Sequence, residues 1–203
     1  MSLRPTRGGW REEVDRLDVA VYSAVAATPT PRLDVFLRRV SSAADHSKLW
    51  IGTAAVLGLA GGRRGRRAAV NGLASTALSS AVVNLVLKPL ADRRRPDRPR
   101  YQVRTVRHVS MPGSTSFPSG HAASAAAFAT GVASTLPQIG IPLGAAGALV
   151  AYSRVHTGVH YPADVIAGSV AGTALAQLAV AAVEGGRGHR PTRTSTSSPI
   201  ELS

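Results

Sequence analysis

The sequence predicts an all-α bundle of helices embedded in a membrane, and three observations carry that reading. Charge is segregated along the 203 residues: no Asp, Glu, Lys or Arg occurs from His108 through Ser153, from Ala68 through Leu87 or from Val165 through Val183. Soluble helices seldom run so far without a charge on their outer face. The last two runs approach the ~20 residues needed to cross a bilayer core of roughly 30 Å. Arginines gather at the margins of such runs, as in the segment GGRRGRR from Gly61 to Arg67 and at Arg187, Arg190 and Arg193. Clusters in those places anchor helices against anionic head groups.

The elements follow in chain order. Arg11 to Ala27 places Val14, Leu17, Val21 and Val25 at helical spacing, and Arg32 to Val40 repeats the pattern after TPTP. Both suit amphipathic helices lying along a membrane surface, and equally a solvated helical lead-in. Leu49 to Gly62 is a short first span and Ala68 to Leu87 a second. The long uncharged run breaks at LPQIGIP, Leu136 to Pro142, into a helix from Ser119 to Leu136 and a shorter one from Ile139 to Tyr152. Val165 to Val183 completes about five spans, with Gly168 and Gly172 spaced for close helix contact. The same Ala- and Gly-rich runs also suit buried core helices of a soluble all-α protein. The expected organisation is a helical lead-in over 1–47, a membrane-embedded domain over 48–184 and a disordered tail over 185–203. The N-terminus carries acids among its arginines and no apolar core, so no removable signal is expected.

Lysine and arginine outnumber aspartate and glutamate by 24 to 11, a net charge of +13. Nucleic acid is not the expected partner, because the cations flank apolar runs and only 4% of residues are aromatic. Cysteine is absent, which excludes disulfides and thiolate metal sites.

Three segments carry candidate chemistry. KPLADRRRPDRPR begins with Lys88 at the end of an apolar run and reaches Arg95-Pro96 seven residues later. An ammonium and a planar guanidinium are complementary holders of phosphate oxygens. FPSGHAASAAAFAT places Pro118, a capping Ser119, Gly120 and His121 where a helix begins, and free N–H groups at a helix start attract anions. YSRVHTGVHYPAD holds Arg154, His160 and, four residues on, Asp164. A carboxylate beside a histidine fixes its tautomer and leaves the other ring nitrogen free to attack, although such a pair also serves as a purely structural contact. If the five runs alternate across a membrane, all of these residues fall on one face, where the phosphates of lipids also lie.

Together these segments resemble the three-part signature of the type 2 phosphatidic acid phosphatase superfamily, shared with the vanadium haloperoxidases. The resemblance covers roughly Leu49 to Val183, and the segments ADHSKLW and SRVHTGVHYPADVIAG are similar to an actinobacterial subgroup. It implies that His160 is the nucleophile, forming a phosphohistidine, and that Asp164 orients it. His121 would protonate the leaving group and later activate water. Lys88, Arg95, Arg154 and the backbone N–H groups of Ser119 and Gly120 would bind the phosphoryl oxygens. No metal and no cofactor are implied, because fixed cations offset the charge of the transition state.

The implied protein is a multi-pass lipid phosphatase of the bacterial cell membrane. Its substrate would be a phosphatidate, a phosphatidylglycerol phosphate or a polyprenyl (di)phosphate. The basic clusters at 61–67 and beyond 185 favour an active site facing outside the cytoplasm, against the opposing count of arginines at 93, 94, 95, 98, 100, 104 and 107. A vanadate-dependent haloperoxidase and a non-catalytic basic membrane protein are the alternatives. Oligomeric state is not legible.

Overall fold

The computed structural model describes residues 9–188, and among these it is helical, with no strand. Helix α1 (Gly9–Ala27) and α2 (Pro31–Ala43) lead, through a 3₁₀ turn at Asp45–Ser47, into α3 (Lys48–Ala60). Helix α4 (Gly62–Leu90) follows, with a π-helical turn at Val83–Leu87, and a long irregular segment then carries a second 3₁₀ turn at Thr105–Arg107. Helices α5 (Gly120–Ala133), α6 (Pro137–His156) and α7 (Pro162–Gly188) complete the bundle. Within the expected tail, α7 continues to Gly188, and residues 189–203 lie outside the described part.

The five runs read as spans are α3 to α7. Only α4 and α7, over the 29 residues Gly62–Leu90 and the 25 residues Pro162–Gly186, are long and apolar enough to cross a membrane, and no more than a third of the apolar window of either is buried. A soluble core helix would be mostly enclosed. Helix α6 differs from expectation at both ends: it starts at Pro137 and runs to His156, with Pro142 inside it. Pro137 at the first position lacks only an N–H that has no helical acceptor, so the helix begins there.

Helix α5 is the axis, packed against α4, α6 and α7. Its alanines are what permit this. Ala123, Ala125 and Ala127 are fully buried with Phe128 and Val132, and Phe128 meets Trp50 of α3 at 5.4 Å between ring centroids. The expected contact through Gly168 and Gly172 is present. A Cβ on Gly172 would lie 2.1 Å from the Ala123 carbonyl oxygen, and one on Gly168 would lie 2.4 Å from that of Ser119. Backbone therefore meets backbone where α7 crosses the start of α5.

The amphipathic lead-in faces opposite to a soluble helix. Val14, Leu17 and Val21 of α1 are exposed, whereas Asp18, Tyr22 and Ala26, one turn apart on the other face, are buried. Helix α2 likewise exposes Leu33 and Phe36 and buries Asp34, Leu37 and Ser41. Apolar side chains outside and acids inside fit lipid as the surrounding medium.

Candidate active site

The bundle's alternation brings one end of each helix α4 to α7 together. Lys88 lies in the last turn of α4, Gly120 and His121 open α5, Arg154 closes α6, and Asp164 is in the first turn of α7 with His160 just before it. The π turn at Val83–Leu87 lies immediately before Lys88; such turns often mark functional sites. A cavity of about 190 Å³ is lined by Lys88, Arg95, Gly120, His121 and His160, and also by His46, Ser80, Asn84 and Ser124.

His160 is fully buried and its two ring nitrogens have different neighbours. Nδ1 lies 3.4 Å from Asp164 Oδ2, and Nε2 lies 3.1 Å from Arg95 Nη1. A guanidinium only donates, so Nε2 presents its lone pair and Nδ1 carries the proton toward the carboxylate. That is the tautomer a nucleophile needs. Asp164 is held in turn on both oxygens. Oδ2 accepts from the Ser116 hydroxyl and from Tyr161 N at 2.9 Å, while Oδ1 accepts from Arg93 Nη1 at 2.7 Å.

Burial, opposed by the Asp164 hydrogen bond and reinforced by the nearby Arg95, pushes the His160 imidazole from 6.5 down to about 4. The neutral ring is the attacking form, so activity is expected to persist below neutral pH. The acid limb of kcat/KM should lie near pH 4 to 5; a limb at the ordinary histidine value of 6.5 would contradict this electrostatic picture.

The arginines of the segment between α4 and α5 divide into two kinds. Arg93 is spent on carboxylates, reaching Asp18 Oδ2 at 2.5 Å and Asp15 Oδ1 at 3.2 Å besides Asp164. Arg104 and Arg107 both reach Asp34, at 3.0 and 2.8 Å, and Arg98 donates to the carbonyls of Thr157 and Val109. Burial works to raise the Asp34 carboxyl, but the Thr30 hydroxyl, His156 and Arg107 hold it below the usual carboxylate range. These arginines are structural.

Arg95 and Lys88 are different. Arg95 donates to the carbonyls of Ser114 and Val159 at 2.9 and 2.8 Å, and Lys88 Nζ reaches Ser114 Oγ at 3.2 Å. Neither is paired with a carboxylate among the described residues, so both charges stand ready at the cavity. Arg154 sits behind, with Nη1 on Ser41 Oγ at 2.6 Å, Asp45 Oδ1 at 3.7 Å, and Nε buried without a partner.

One expectation is corrected. The Ser119 backbone N–H does not face a phosphate, because it donates to the Asp164 carbonyl oxygen at 2.9 Å, and the serine is completely buried. Its hydroxyl accepts from Ala122 N at 3.5 Å as the cap of α5. Ser119 thus ties the start of α5 to the start of α7. Gly120 lines the cavity, and a Cβ there would stand 3.7 Å from Lys88 Nζ.

Asp18, Asp45, Arg93 and Ser116 were not expected at the site. The available signal was scarcity, since acids number only 11 in the whole chain and Asp18 and Asp34 each stand among apolar neighbours in sequence. Asp45 matters most for the second histidine, whose Nε2 lies 2.9 Å from Asp45 Oδ1. The residues after Asp45 are strained: His46 and Ser47 both have left-handed backbone, with φ of 56° and 58°, a conformation costing of order 1–3 kcal/mol each. The turn holds the carboxylate against His121. Asp45→Asn, which keeps an acceptor but removes the charge that stabilises an imidazolium, is expected to lower kcat by about 10-fold or more on an alkyl phosphate. The loss should shrink with p-nitrophenyl phosphate, whose leaving group needs no proton. An equal loss on both substrates would contradict a role through His121.

Comparison with known proteins identifies the family. The sequence profile of the PAP2 superfamily matches residues 68–186. A decaprenylphosphoryl-5-phosphoribose phosphatase of Mycobacterium tuberculosis is 35% identical over 182 residues, covering 87% of this chain and 96% of that protein. The crystal structure of a transmembrane PAP2-type phosphatidylglycerolphosphate phosphatase from Bacillus subtilis superposes with a TM-score of 0.66 at 26% identity, covering 88% of this chain and 90% of that one. Aquifex aeolicus LpxE shares the fold, with a TM-score of 0.65 at 22% identity over 81% of this chain and 94% of its own. The chain belongs to the PAP2 superfamily and has the all-helical fold of its membrane phosphatases.

Proposed function

We propose that this protein is a metal-independent lipid phosphatase that forms a phosphohistidine on His160. The observation that carries the reading is the oriented His160–Asp164 pair at a cavity with two cations, Lys88 and Arg95, that have no carboxylate partner among the described residues. Phosphoryl oxygens bind Lys88 and Arg95, with Arg154 adding charge from behind. Nε2 of His160 gives up its contact with Arg95 and attacks phosphorus. The N–P bond forms as the ester P–O bond breaks, and His121 donates a proton to the departing oxygen. Water then attacks phosphorus with His121 as base, the P–N bond breaks, and phosphate leaves.

The proposed substrate is a polyprenylphosphoryl-5-phosphoribose, on the strength of the 35% identity that spans nearly all of the mycobacterial phosphatase. The polar wall of Ser80, Asn84, Ser124 and His46 beside Lys88 supports a hydroxyl-bearing group next to the phosphate. Phosphate release by the purified chain from this lipid, a phosphatidate and phosphatidylglycerol phosphate would test the choice. Turnover of the phosphoribosyl lipid should exceed that of the others by at least tenfold, and a preference for phosphatidylglycerol phosphate would overturn it.

The proposed setting is a bacterial cell membrane crossed by α3 to α7, entered by the lead-in over 1–47, with the phosphatase domain at 48–184 and its site outside the cytoplasm. Pairing of Arg93, Arg104 and Arg107 with internal carboxylates supports discounting them as orienting charges, which leaves the GGRRGRR end as the cytoplasmic one. Because the chain has no cysteine, Arg100→Cys should react in intact cells with an impermeant maleimide. Labelling only after lysis would reverse the orientation.

A further inference from the structure

A cavity of about 1000 Å³ lies at the end of the bundle away from His160, where α4 and α6 begin and α5 ends. Arg63, Arg64, Arg66 and Arg67 line it together with Ser134 and Gln138. We propose that this cleft binds the headgroup of an anionic phospholipid from the leaflet opposite the active site.

Charge is the first reason. Glu184 reaches this end of the bundle and is already engaged, accepting from Arg67 Nε at 2.8 Å and from Asn71 Nδ2 at 3.0 Å. Asn71 also reaches the hydroxyls of Ser134 and Thr135, so α4, α7 and the turn before α6 are locked together. Arg63, Arg64 and Arg66 are exposed and have no ion-pair partner among the described residues. The first turns of α4 and α6 also open here, with no acidic residue and no side-chain cap, so their N-termini add positive potential.

Rigidity is the second reason. The turn from α3 to α4 is built by close approach: a Cβ on Gly65 would lie 2.2 Å from the Leu57 carbonyl oxygen, one on Gly61 would lie 2.6 Å from it, and Gly62 has φ of +58°. The arginines therefore leave a fixed turn rather than a loose loop. Shape selects lipid over a soluble anion. Val70 lines the cleft, and Val70 and Leu73 are exposed along α4 below the arginines, a path for acyl chains continuous with the headgroup site. The volume suits a glycerophosphate headgroup.

The test uses the full chain in neutral detergent, with thermal unfolding followed as dioleoyl phosphatidylglycerol, dioleoyl phosphatidylcholine or inorganic phosphate is added. Phosphatidylglycerol should raise Tm by about 5–10 °C once present at about 100 times its Kd, and the other two should not. Arg64→Gln/Arg66→Gln should weaken the apparent affinity by roughly 30-fold, at roughly five-fold for each arginine, and Arg64→Gln alone serves if the pair does not fold. Lys88→Gln, which alters the active-site cradle, should keep the full shift. An unchanged shift in the arginine variants, its loss in Lys88→Gln, or an equal shift with inorganic phosphate would each overturn the proposal.

Discussion

His160→Ala is expected to leave no measurable turnover on any phosphomonoester, whereas His121→Ala should retain a residual rate about 10²–10⁴-fold below the parent. The difference follows from what each ring touches. His160 is buried with one nitrogen committed to Asp164 and the other facing the cavity beside Arg95, a placement no other side chain duplicates among the described residues. His121 is partly exposed at the cavity wall and paired with Asp45, as a proton donor should be. Losing a nucleophile removes the pathway; losing an acid slows it. With p-nitrophenyl phosphate the His121→Ala deficit should narrow and the His160→Ala deficit should not. Equal deficits on both substrates, accompanied by equal loss of thermal stability, would mean that the histidines merely hold the fold.

The largest effect on stability is expected at Asp34. Its carboxylate is fully buried and takes Arg107 Nε at 2.8 Å, His156 Nε2 at 3.0 Å and the Thr30 hydroxyl at 2.8 Å, with Arg104 at 3.0 Å on the other oxygen. Arg107 is itself fully buried and donates onward to the carbonyls of Val25 and Thr28, where α1 ends. Asp34→Ala strands that guanidinium and should cost about 3–5 kcal/mol. Arg104→Gln removes a half-exposed partner of the same carboxylate and should cost under about 1 kcal/mol. Unfolding of both variants in detergent checks the contrast. Activity should fall as well in Asp34→Ala, because the cluster fixes α1, and α1 supplies the Asp18 that steadies Arg93 on Asp164. Similar stabilities for the two variants would refute the anchoring role.

The two layers of this site were legible to different degrees, for a physical reason. Lys88, His121, Arg154, His160 and Asp164 sit at or beside ends of uncharged helical runs, where chain direction alone brings them to one face, and Arg95 follows Lys88 by seven residues. The ion pairs behind them join residues far apart in sequence through the irregular segment after α4, where no periodicity constrains partners. Asp18, Asp34 and Asp45 were therefore hidden, although their isolation among apolar residues marked them as buried acids in need of cations. The apolar stripes of α1 and α2 were read correctly as amphipathic, but they point outward because the surroundings they suit are lipid. Ser119 shows the opposite limit. Its position at a helix start suggested an anion contact, and only the packing of α7 onto that start revealed that its N–H is already taken.

The most direct test is quenching of His121→Ala in alkaline SDS during turnover of ³²P-labelled p-nitrophenyl phosphate, followed by mapping of the labelled peptide under alkaline conditions. Because this leaving group needs no proton, formation is spared while hydrolysis is slowed, so the intermediate should accumulate, with acid-labile, alkali-stable label on His160. Label on His121 in the parent protein, or labelled protein in His160→Ala, would contradict the assignment of the nucleophile.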